Sequence, residues 1–348
     1  MNATSAPTRG PATVRRRLEF LPSLLPGIAL ACLVAAAALL TKQMPYISLI
    51  NPIVLAVAFG MIVSTVFGVP AVAEPGLAFA ARFFLRISIV LLGLQITLSE
   101  LVHIGASAIM ICAAALVATF LFTKWLGKRL GVDAGLTELL AAGTAVCGAS
   151  AIVATNTVTR AREGDVAYAL GCITVFGTLS ILLYPIIMRA LNLPQDFYGF
   201  WAGASIHEVA QVVAAAFQGG AESAHIATIV KLARVLMLAP LILIIGFRHS
   251  RRVEALAPVP LLPWFVVGFI ALAVLGSFVT ISPYTRHLAG TATGMLFTVA
   301  LAALGLSTHL QSVTARGYKP LVVGAGAWVF IAVFSILCVA AARELGLL

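Results

Sequence analysis

Three polar side chains that could carry or bind charge lie together in the otherwise apolar stretch 197–217. His207 and Glu208 are adjacent, and Gln211 follows four residues after the histidine. On a helix, His207 and Gln211 would share one face, while Glu208 would point about 100° away. Histidine titrates near neutrality and a buried carboxyl group can be shifted towards it, so this group could carry protons. A structural hydrogen-bond cluster is the alternative.

Two basic residues, Lys231 and Arg234, lie three positions apart in the next apolar stretch and would share a helix face. An ionisable side chain at mid-bilayer costs about 2.5–3.5 kcal/mol on insertion scales, which makes each one a functional candidate. The pair could clamp an oxyanion, with Arg234 offering a guanidinium fork and Lys231 a point charge. Alternatively, one of them neutralises Glu208.

The tripeptide Gly-Ala-Ser occurs at residues 148–150 and again at 203–205. Glycine weakens a helix and serine can bond to backbone groups, so a helix can break at either place. Half-helix N-termini at such breaks point N–H groups at an anion in many secondary transporters. Close helix packing through small residues is the alternative interpretation.

The candidate substrate-binding residues come from these motifs, the basic pair and nearby amides. They are Cys147, Gly148, Ala149, Ser150, Gly203, Ser205, Gln211, Lys231, Arg234, Asn156 and Gln95, with His207 and Glu208 as coupling or gating groups. For Gln95 and Asn156, hydrogen bonding between helices is an equally good explanation. The sequence contains no HExxH, GxSxG or nucleotide-binding loop, so we expect no enzyme, no metal, no cofactor and no ATP-driven pump.

Membrane-spanning helices must position these residues. Of the 348 residues, 61% are hydrophobic and 10% are charged, against roughly 45–50% and about 25% in a soluble domain. The five cysteines follow no CxxC spacing, which argues against a disulfide framework or a structural zinc site. The net charge of +10 is not arranged as a basic stripe with interleaved aromatics, so nucleic acid is not an expected partner.

A spanning helix needs about 20 largely apolar residues in a row. Eleven segments of the chain come near this length. They are 22–41, 47–68, 76–97, 101–123, 135–158, 166–189, 197–217, 224–247, 262–281, 288–307 and 320–342. They form a single transmembrane domain over 21–348, after a basic tail at 1–20. Residues 92–98 and 304–310 also resemble each other, which fits inverted repeats.

Lysine and arginine predict the orientation of these segments. Most lysine and arginine residues fall in the loops that would lie on the same side of the membrane as the N-terminus. Because basic residues are enriched in cytoplasmic loops, this distribution predicts a cytoplasmic N-terminus. Arg160 and Arg162 are the exceptions. If 135–158 and 197–217 re-enter the membrane instead of crossing it, that conflict disappears. Eleven spans is the preferred interpretation, and nine spans with two re-entrant segments stays open.

Several of these blocks together resemble one protein family. CGASAI at 147–152, SIHEVAQVVAA at 205–215, VKLARV at 230–235, PWF at 263–265 and ALGLST at 303–308 look like the YeiH-like bacterial inner-membrane proteins, which are labelled sulfate exporters. That family is similar in turn to the cation/proton antiporter and anion transporter superfamily, whose folds use inverted repeats and crossed, broken helices. The resemblance implies an all-α polytopic protein of the bacterial inner membrane. It also implies export of a small oxyanion, with sulfate as the first guess, coupled to protons or sodium.

Two other functions stay open. A sodium/proton antiporter on the same scaffold would use Glu208 to exchange the two cations. A non-transporting membrane sensor or structural protein is the third class, although it would leave the buried charges without a purpose. The sequence leaves the oligomeric state open, with a homodimer as one option.

Overall fold

The computed structural model describes residues 12–41, 52–249, 263–279, 281–308 and 318–348, and the regular structure within these ranges is entirely helical. The helices are α1 Ala12–Thr41, α2 Pro52–Val66, α3 Glu74–Phe79, α4 Leu85–Leu92, α5 Leu98–Leu130, α6 Ala134–Ala145, α7 Ala149–Thr159, α8 Glu163–Ala190, α9 Gln195–Ser205, α10 Val209–Ala216, α11 Ala221–Leu236, α12 Leu238–His249, α13 Trp264–Phe278, α14 Pro283–Leu306 and α15 Tyr318–Glu344. Short 3-10 turns lie at Ala71–Ala73, Gly93–Gln95 and Phe217–Gly219, and a π turn lies at Ala80–Phe84.

Long apolar helices dominate the described part of the chain. Seven stretches there are long and apolar enough to cross a membrane: Ser23–Thr41, Ala71–Gln95, Leu98–Leu130, Glu163–Ala190, Ala221–Gly246, Pro283–Leu306 and Tyr318–Glu344. Shorter apolar helices lie at Pro52–Val66, Val209–Gly219 and Trp264–Phe278. The chain is therefore an all-α polytopic membrane protein, as predicted.

All eleven predicted segments contain helix. Non-helical backbone interrupts two of them, 135–158 and 197–217, whereas in 224–247 the helices α11 and α12 meet at Met237, whose backbone remains in the helical region. The orientation and the inverted repeat stay predictions. Most of the basic tail at 1–20, and residues 309 and 310 of the repeat, lie outside the described residues.

The first of two compact units comprises the described residues of 1–85 together with 296–308. In it α1 packs on α3, and a Cβ added to Gly27 would overlap the carbonyl oxygen of Ala73. Glycine at position 27 therefore lets the two backbones touch. Such contacts through small residues are typical of membrane helices, where hydrophobic burial does not drive helices together.

The second unit comprises the described residues of 86–295 and 309–348. Here α11 contacts α5, α9 and α10. Gly199 and Gly203 lie about one turn apart on α9, and a Cβ on Gly203 would lie 2.6 Å from the carbonyl oxygen of Ala227. The two glycines therefore allow α9 to approach the backbone of α11. The prediction of a single domain over 21–348 stays a prediction.

Local capping explains where the long helices begin and end. Thr97 caps the start of α5: its hydroxyl accepts from the N–H of Glu100 while the Glu100 carboxylate accepts from the N–H of Thr97. Gly131 caps the end of α5 and has a φ of 68°, a conformation that favours glycine. Asp133 then caps the start of α6, and its carboxylate accepts from two backbone N–H groups of the first turn. These caps bring α6 directly after α5.

Candidate functional site

The first interrupted segment breaks between α6 and α7, at Val146, Cys147 and Gly148. Gly148 has a φ of 71° and a ψ of −125°, a conformation that residues with a Cβ rarely adopt. Its N–H donates to the carbonyl oxygen of Gly143 at 3.0 Å. Gly148 thus lets α6 end and α7 begin within one apolar segment, as the sequence predicted.

The second interrupted segment breaks between α9 and α10, at Ile206, His207 and Glu208. Ile206 and Glu208 have extended backbone, with φ of −66° and −108°. Glu208 is the N-cap of α10, because its side chain accepts from the N–H of Gln211 while the Gln211 Oε1 accepts from the N–H of Glu208 at 3.1 Å. The break predicted at 203–205 is therefore wrong in position: those residues form the last turn of α9, and the break follows them at a cap of paired polar side chains without a glycine.

Both half-helices that run into the breaks have similar lengths. α6 contains 12 residues and α9 contains 11. At 1.5 Å per residue each is about 17 Å long, roughly half of the hydrocarbon layer. A helix of this length that starts near one membrane surface ends close to the middle.

Lys231 of α11 joins the two breaks. Its ammonium group donates to the carbonyl oxygen of Val146 in the first break at 3.0 Å. It also donates to the carbonyl oxygens of Ile206, at 2.7 Å, and His207 in the second break. An ammonium group has three N–H donors, so these three carbonyls use all of them. The side chain is fully buried.

Arg234 lies about one turn further along α11 and is also fully buried. Its Nε donates to the carbonyl oxygen of Ala145 at 2.9 Å, and its Nη2 donates to that of Thr144, both in the last turn of α6. Its Nη1 donates to the carbonyl oxygens of Ala204, at 2.9 Å, and Ile206, at 3.0 Å, at the end of α9. One guanidinium group therefore holds the C-terminal ends of both half-helices.

This pairing is electrostatically favourable. The C-terminal end of a helix carries a partial negative charge and several carbonyls without an intrahelical partner. Two such ends would be costly to bury together, and so would two unpaired cations. The hydrogen bonds from Lys231 and Arg234 to these carbonyl oxygens reduce both costs, because each buried cation is paired with partial negative charge. The assignment of the basic pair to the substrate stays a prediction, and the observed contacts give the pair a structural task.

The opposite ends of the breaks are the N-termini of α7 and α10, and Glu208 lies between them. A Cβ added to Gly148, the N-cap of α7, would lie 2.7 Å from the Glu208 Cγ and 3.4 Å from its Oε1. The same carboxylate caps α10. Ser150 is exposed, and Ala149 and Glu208 are half-buried. The N-terminal ends are thus less buried than the C-terminal ends.

His207 differs from its neighbours in the break. It is fully buried, yet neither Nδ1 nor Nε2 of its ring has a hydrogen-bond partner. Its backbone carbonyl accepts from Lys231. Buried polar atoms nearly always have a partner in protein or water. The ring nitrogens of His207 therefore have unused hydrogen-bonding capacity.

The remaining predicted residues at the breaks have packing roles. The Ser205 hydroxyl donates to the carbonyl oxygen of Trp201 within α9, and Gly203 allows the contact between α9 and α11. Cys147 is buried in an apolar cluster at the first break. The Gln211 Nε2 also donates to the carbonyl oxygen of Thr174 on α8 at 3.4 Å. These side chains shape the breaks.

Two predicted residues lie elsewhere. The Asn156 Oδ1 accepts from the N–H of Ala161 at 2.8 Å, beyond the C-terminal end of α7. Gln95 lines a cleft of about 600 Å³ with Arg286, His287 and other residues of α14. Neither Asn156 nor Gln95 has a described contact with the breaks. The other predicted site residues lie at or beside the breaks.

Sequence reasoning missed the backbone carbonyls that bind the basic pair. Every residue has a carbonyl group, so no residue type distinguished those of Thr144, Ala145 and Ala204 in advance. The small residues before each break were the available indication, because they permit close approach. In the described part of the chain, no three His, Cys, Asp or Glu side chains are grouped as a metal site requires.

Comparison with known proteins gives a consistent family. The family model described as conserved hypothetical protein 698 matches residues 26–324. A UPF0324 membrane protein of Pseudomonas aeruginosa is 35% identical over 329 residues, covering 90% of this chain and 93% of the relative. One from Yersinia pestis is 36% identical over 316 residues, covering 85% and 87%. The UPF0324 inner membrane protein YeiH of Salmonella typhi is 33% identical over 325 residues, covering 88% and 91%.

Proposed function

Because the chain belongs to the family of UPF0324 membrane proteins, which includes YeiH, we propose that it is a secondary transporter that exports a small oxyanion. Sulfate is the first candidate substrate, and protons or sodium ions supply the coupling gradient. The protein acts in the bacterial inner membrane with its N-terminus in the cytoplasm. No cofactor takes part, and a homodimer is one option for its assembly.

The observation that carries this proposal is the meeting of two interrupted helices in which opposite ends have different surroundings. The C-terminal ends are sealed by Lys231 and Arg234. The N-terminal ends of α7 and α10 lie together beside Glu208 at a half-buried position. The first N–H groups of a helix have no intrahelical partner and favour an anion. An oxyanion can therefore bind to backbone N–H groups at the accessible side.

Each candidate residue then has a role in transport. Lys231 and Arg234 hold both breaks in place and add positive potential behind the substrate. Ala149 and Ser150 provide N–H groups in the first turn of α7. His207 and Glu208 couple substrate movement to the driving ion, since both of these ionisable side chains belong to the second break.

The direct test measures sulfate flux through the full chain in proteoliposomes. We expect saturable flux that other small oxyanions inhibit. Ser150→Asp places a carboxylate at the N-terminus of α7, which favours the helix but repels an anion there. We expect about tenfold weaker substrate affinity after allowing for solvent exposure. The matched control Ser150→Asn has nearly the same size and no charge, and should transport normally. Absence of flux for every tested anion, from well-folded protein, would refute the proposal.

A sodium/proton antiporter is the second candidate, because Glu208 is a carboxylate at the meeting point of the two breaks. The same vesicles can report sodium uptake driven by an imposed pH gradient. Sodium flux that is lost in Glu208→Gln, without anion flux in either protein, would favour this second function.

A further inference from the structure

The helices α6 and α7 form a first hairpin, because they run side by side in opposite directions. Near the break, a Cβ added to Gly143 of α6 would lie 2.8 Å from the Cγ1 of Ile152 on α7. At the far ends of the two helices, a Cβ added to Gly135 would lie 3.2 Å from the Cβ of Ala161. In each pair, both residues are about equally far from Gly148 along the chain. α7 therefore returns to the level at which α6 starts.

The helices α9 and α10 form a second hairpin. The Tyr198 hydroxyl, near the start of α9, donates to the carbonyl oxygen of Ala215, near the end of α10, at 3.0 Å. A Cβ added to Gly220, shortly after α10, would lie 2.5 Å from the Oε1 of Gln195, the first residue of α9. The chain therefore also leaves this hairpin at the level at which it entered.

α8 separates the bases of the two hairpins. It begins directly after the first hairpin and ends directly before the second, and it contains 28 residues. At 1.5 Å per residue it is about 42 Å long, which is enough to cross a hydrocarbon layer of about 30 Å. At the tips, Lys231 donates to the carbonyl oxygens of Val146 and Ile206. The two hairpins therefore approach from opposite ends of α8 and meet at their tips.

The exposed face of α7 differs from that of a helix that faces lipid. Ser150, Val153 and Thr157 of α7 are exposed, as is its C-cap Arg160, and they recur every three or four residues from the tip to the base. Three of these four side chains are polar. Between positions 322 and 337 of α15, the exposed residues are all apolar: Val322, Val329, Val333 and Leu337. α7 thus presents a mostly polar stripe where α15 presents aliphatic side chains.

The tips carry an ionisable side chain that is only half-buried. Glu208 lies beside Gly148, since a Cβ added to that glycine would be 2.7 Å from the Glu208 Cγ. An ionisable side chain inside the membrane is costly in hydrocarbon and faces protein or a water-filled cavity. Non-helical backbone at that depth has the same requirement. The uncovered part of Glu208 therefore faces water, next to the end of the stripe at Ser150.

We infer that both segments are re-entrant hairpins entering from opposite faces of the membrane, and that the exposed face of α7 lines a water-filled route from the cytoplasmic face to their tips. Lys128 and Arg129 lie in the last turn of α5, just before the first hairpin, and Arg160 and Arg162 lie just after it. Basic residues are enriched in cytoplasmic loops, so the base of the first hairpin faces the cytoplasm. The inference goes beyond the proposed function, because the route does not depend on which solute is carried.

The first measurement locates the bases of the hairpins. Single cysteines replace exposed residues of the full chain in inside-out and right-side-out bacterial membrane vesicles, and a membrane-impermeant maleimide labels them from one face. Mass spectrometry identifies the labelled residue, so the five native cysteines stay in place. We expect Lys128→Cys and Arg162→Cys to react from the cytoplasmic face, and Leu191→Cys and Glu222→Cys from the other face. If the two members of either pair react from opposite faces, that segment crosses the membrane and the inference is wrong.

The second measurement tests the route itself with two matched valines. Val153 on α7 is 56% exposed and Val333 on α15 is 53% exposed. The thiolate is the reactive form of cysteine, and apolar surroundings disfavour it. We therefore expect Val153→Cys to react from the cytoplasmic face at least about tenfold faster than Val333→Cys, and Thr157→Cys to do the same. Rates no higher than that of Val333→Cys, or reaction only from the other face, would overturn the route.

Discussion

The two breaks produce similar helix ends from different backbone chemistry. The first requires a glycine, because Gly148 has a positive φ of 71°. The second uses extended backbone at Ile206 and Glu208, which any residue can adopt. The first break therefore depends on a missing side chain, and the second depends on the reciprocal cap between Glu208 and Gln211.

The comparison also separates the two kinds of helix end. Both C-terminal ends use the same basic pair on α11. At the N-terminal ends, α7 begins with the small residues Ala149 and Ser150, whereas α10 begins with a carboxylate. The C-terminal ends therefore share one pair of cationic donors, whereas the N-terminal ends differ in their first residues.

The largest effect is expected for Arg234→Met. This change removes a donor from four buried carbonyl oxygens at both half-helix ends, of which that of Ile206 keeps Lys231 as a donor. Each buried carbonyl left without a donor costs about 1–3 kcal/mol, so we expect a large loss of folded protein. Thermal unfolding in detergent and the yield of monodisperse protein measure it.

Arg234→Lys is the control for that substitution. It retains the charge but offers three N–H donors in place of five, so its melting temperature should fall between those of Arg234→Met and the wild type. A normal melting temperature for Arg234→Met would mean that the carbonyls need no cation, and the electrostatic account of the site would fail.

The next largest effect is expected for Gly148→Ala. Backbone strain at this conformation costs about 1–3 kcal/mol, and the new Cβ would also crowd the Glu208 Cγ at 2.7 Å. Gly131→Ala is the matched control, since Gly131 has a φ of 68° with no atom within 4 Å of an added Cβ. It should cost only about 1–2 kcal/mol. Equal shifts in melting temperature would argue against a special constraint at the first break.

A smaller effect is expected for Gln211→Ala at the second break. The substitution removes one half of the reciprocal cap on α10 and costs about 1–2 kcal/mol. Gln218→Ala removes one side-chain hydrogen bond to the carbonyl oxygen of Ile181 and serves as a comparison. If Gln211→Ala proves no more destabilising than a surface substitution, the cap does not hold the second break.

The smallest effect is expected for Asn156→Ala. Its side chain accepts from the N–H of Ala161, so its loss should cost about 1 kcal/mol and leave the anion Kd unchanged. A marked change in anion affinity with normal stability would return Asn156 to the substrate site and contradict its placement at the far end of α7.

Much of the fold could be predicted because it depends on local properties. Segment length and hydropathy located helices such as Glu163–Ala190, since an apolar stretch of that size must be satisfied by its own backbone hydrogen bonds in lipid. Gly148 indicated the first break for the same reason, because helix weakening belongs to the residue itself, whereas Gly203 and Ser205 remain helical in α9 and the second break follows them. His207 and Glu208 were likewise recognisable as polar residues in apolar surroundings.

The partners of those residues depend on contacts between distant parts of the chain. Lys231 binds carbonyl oxygens 85, 25 and 24 positions away in sequence, and residue types do not mark such acceptors. Asn156 and Gln95 were as polar as Gln211 in the sequence, yet packing placed them away from the breaks. Residue chemistry thus identified which groups needed a partner in lipid, while the packing of α6, α9 and α11 selected the partner, because backbone carbonyls become distinct only through their position in space.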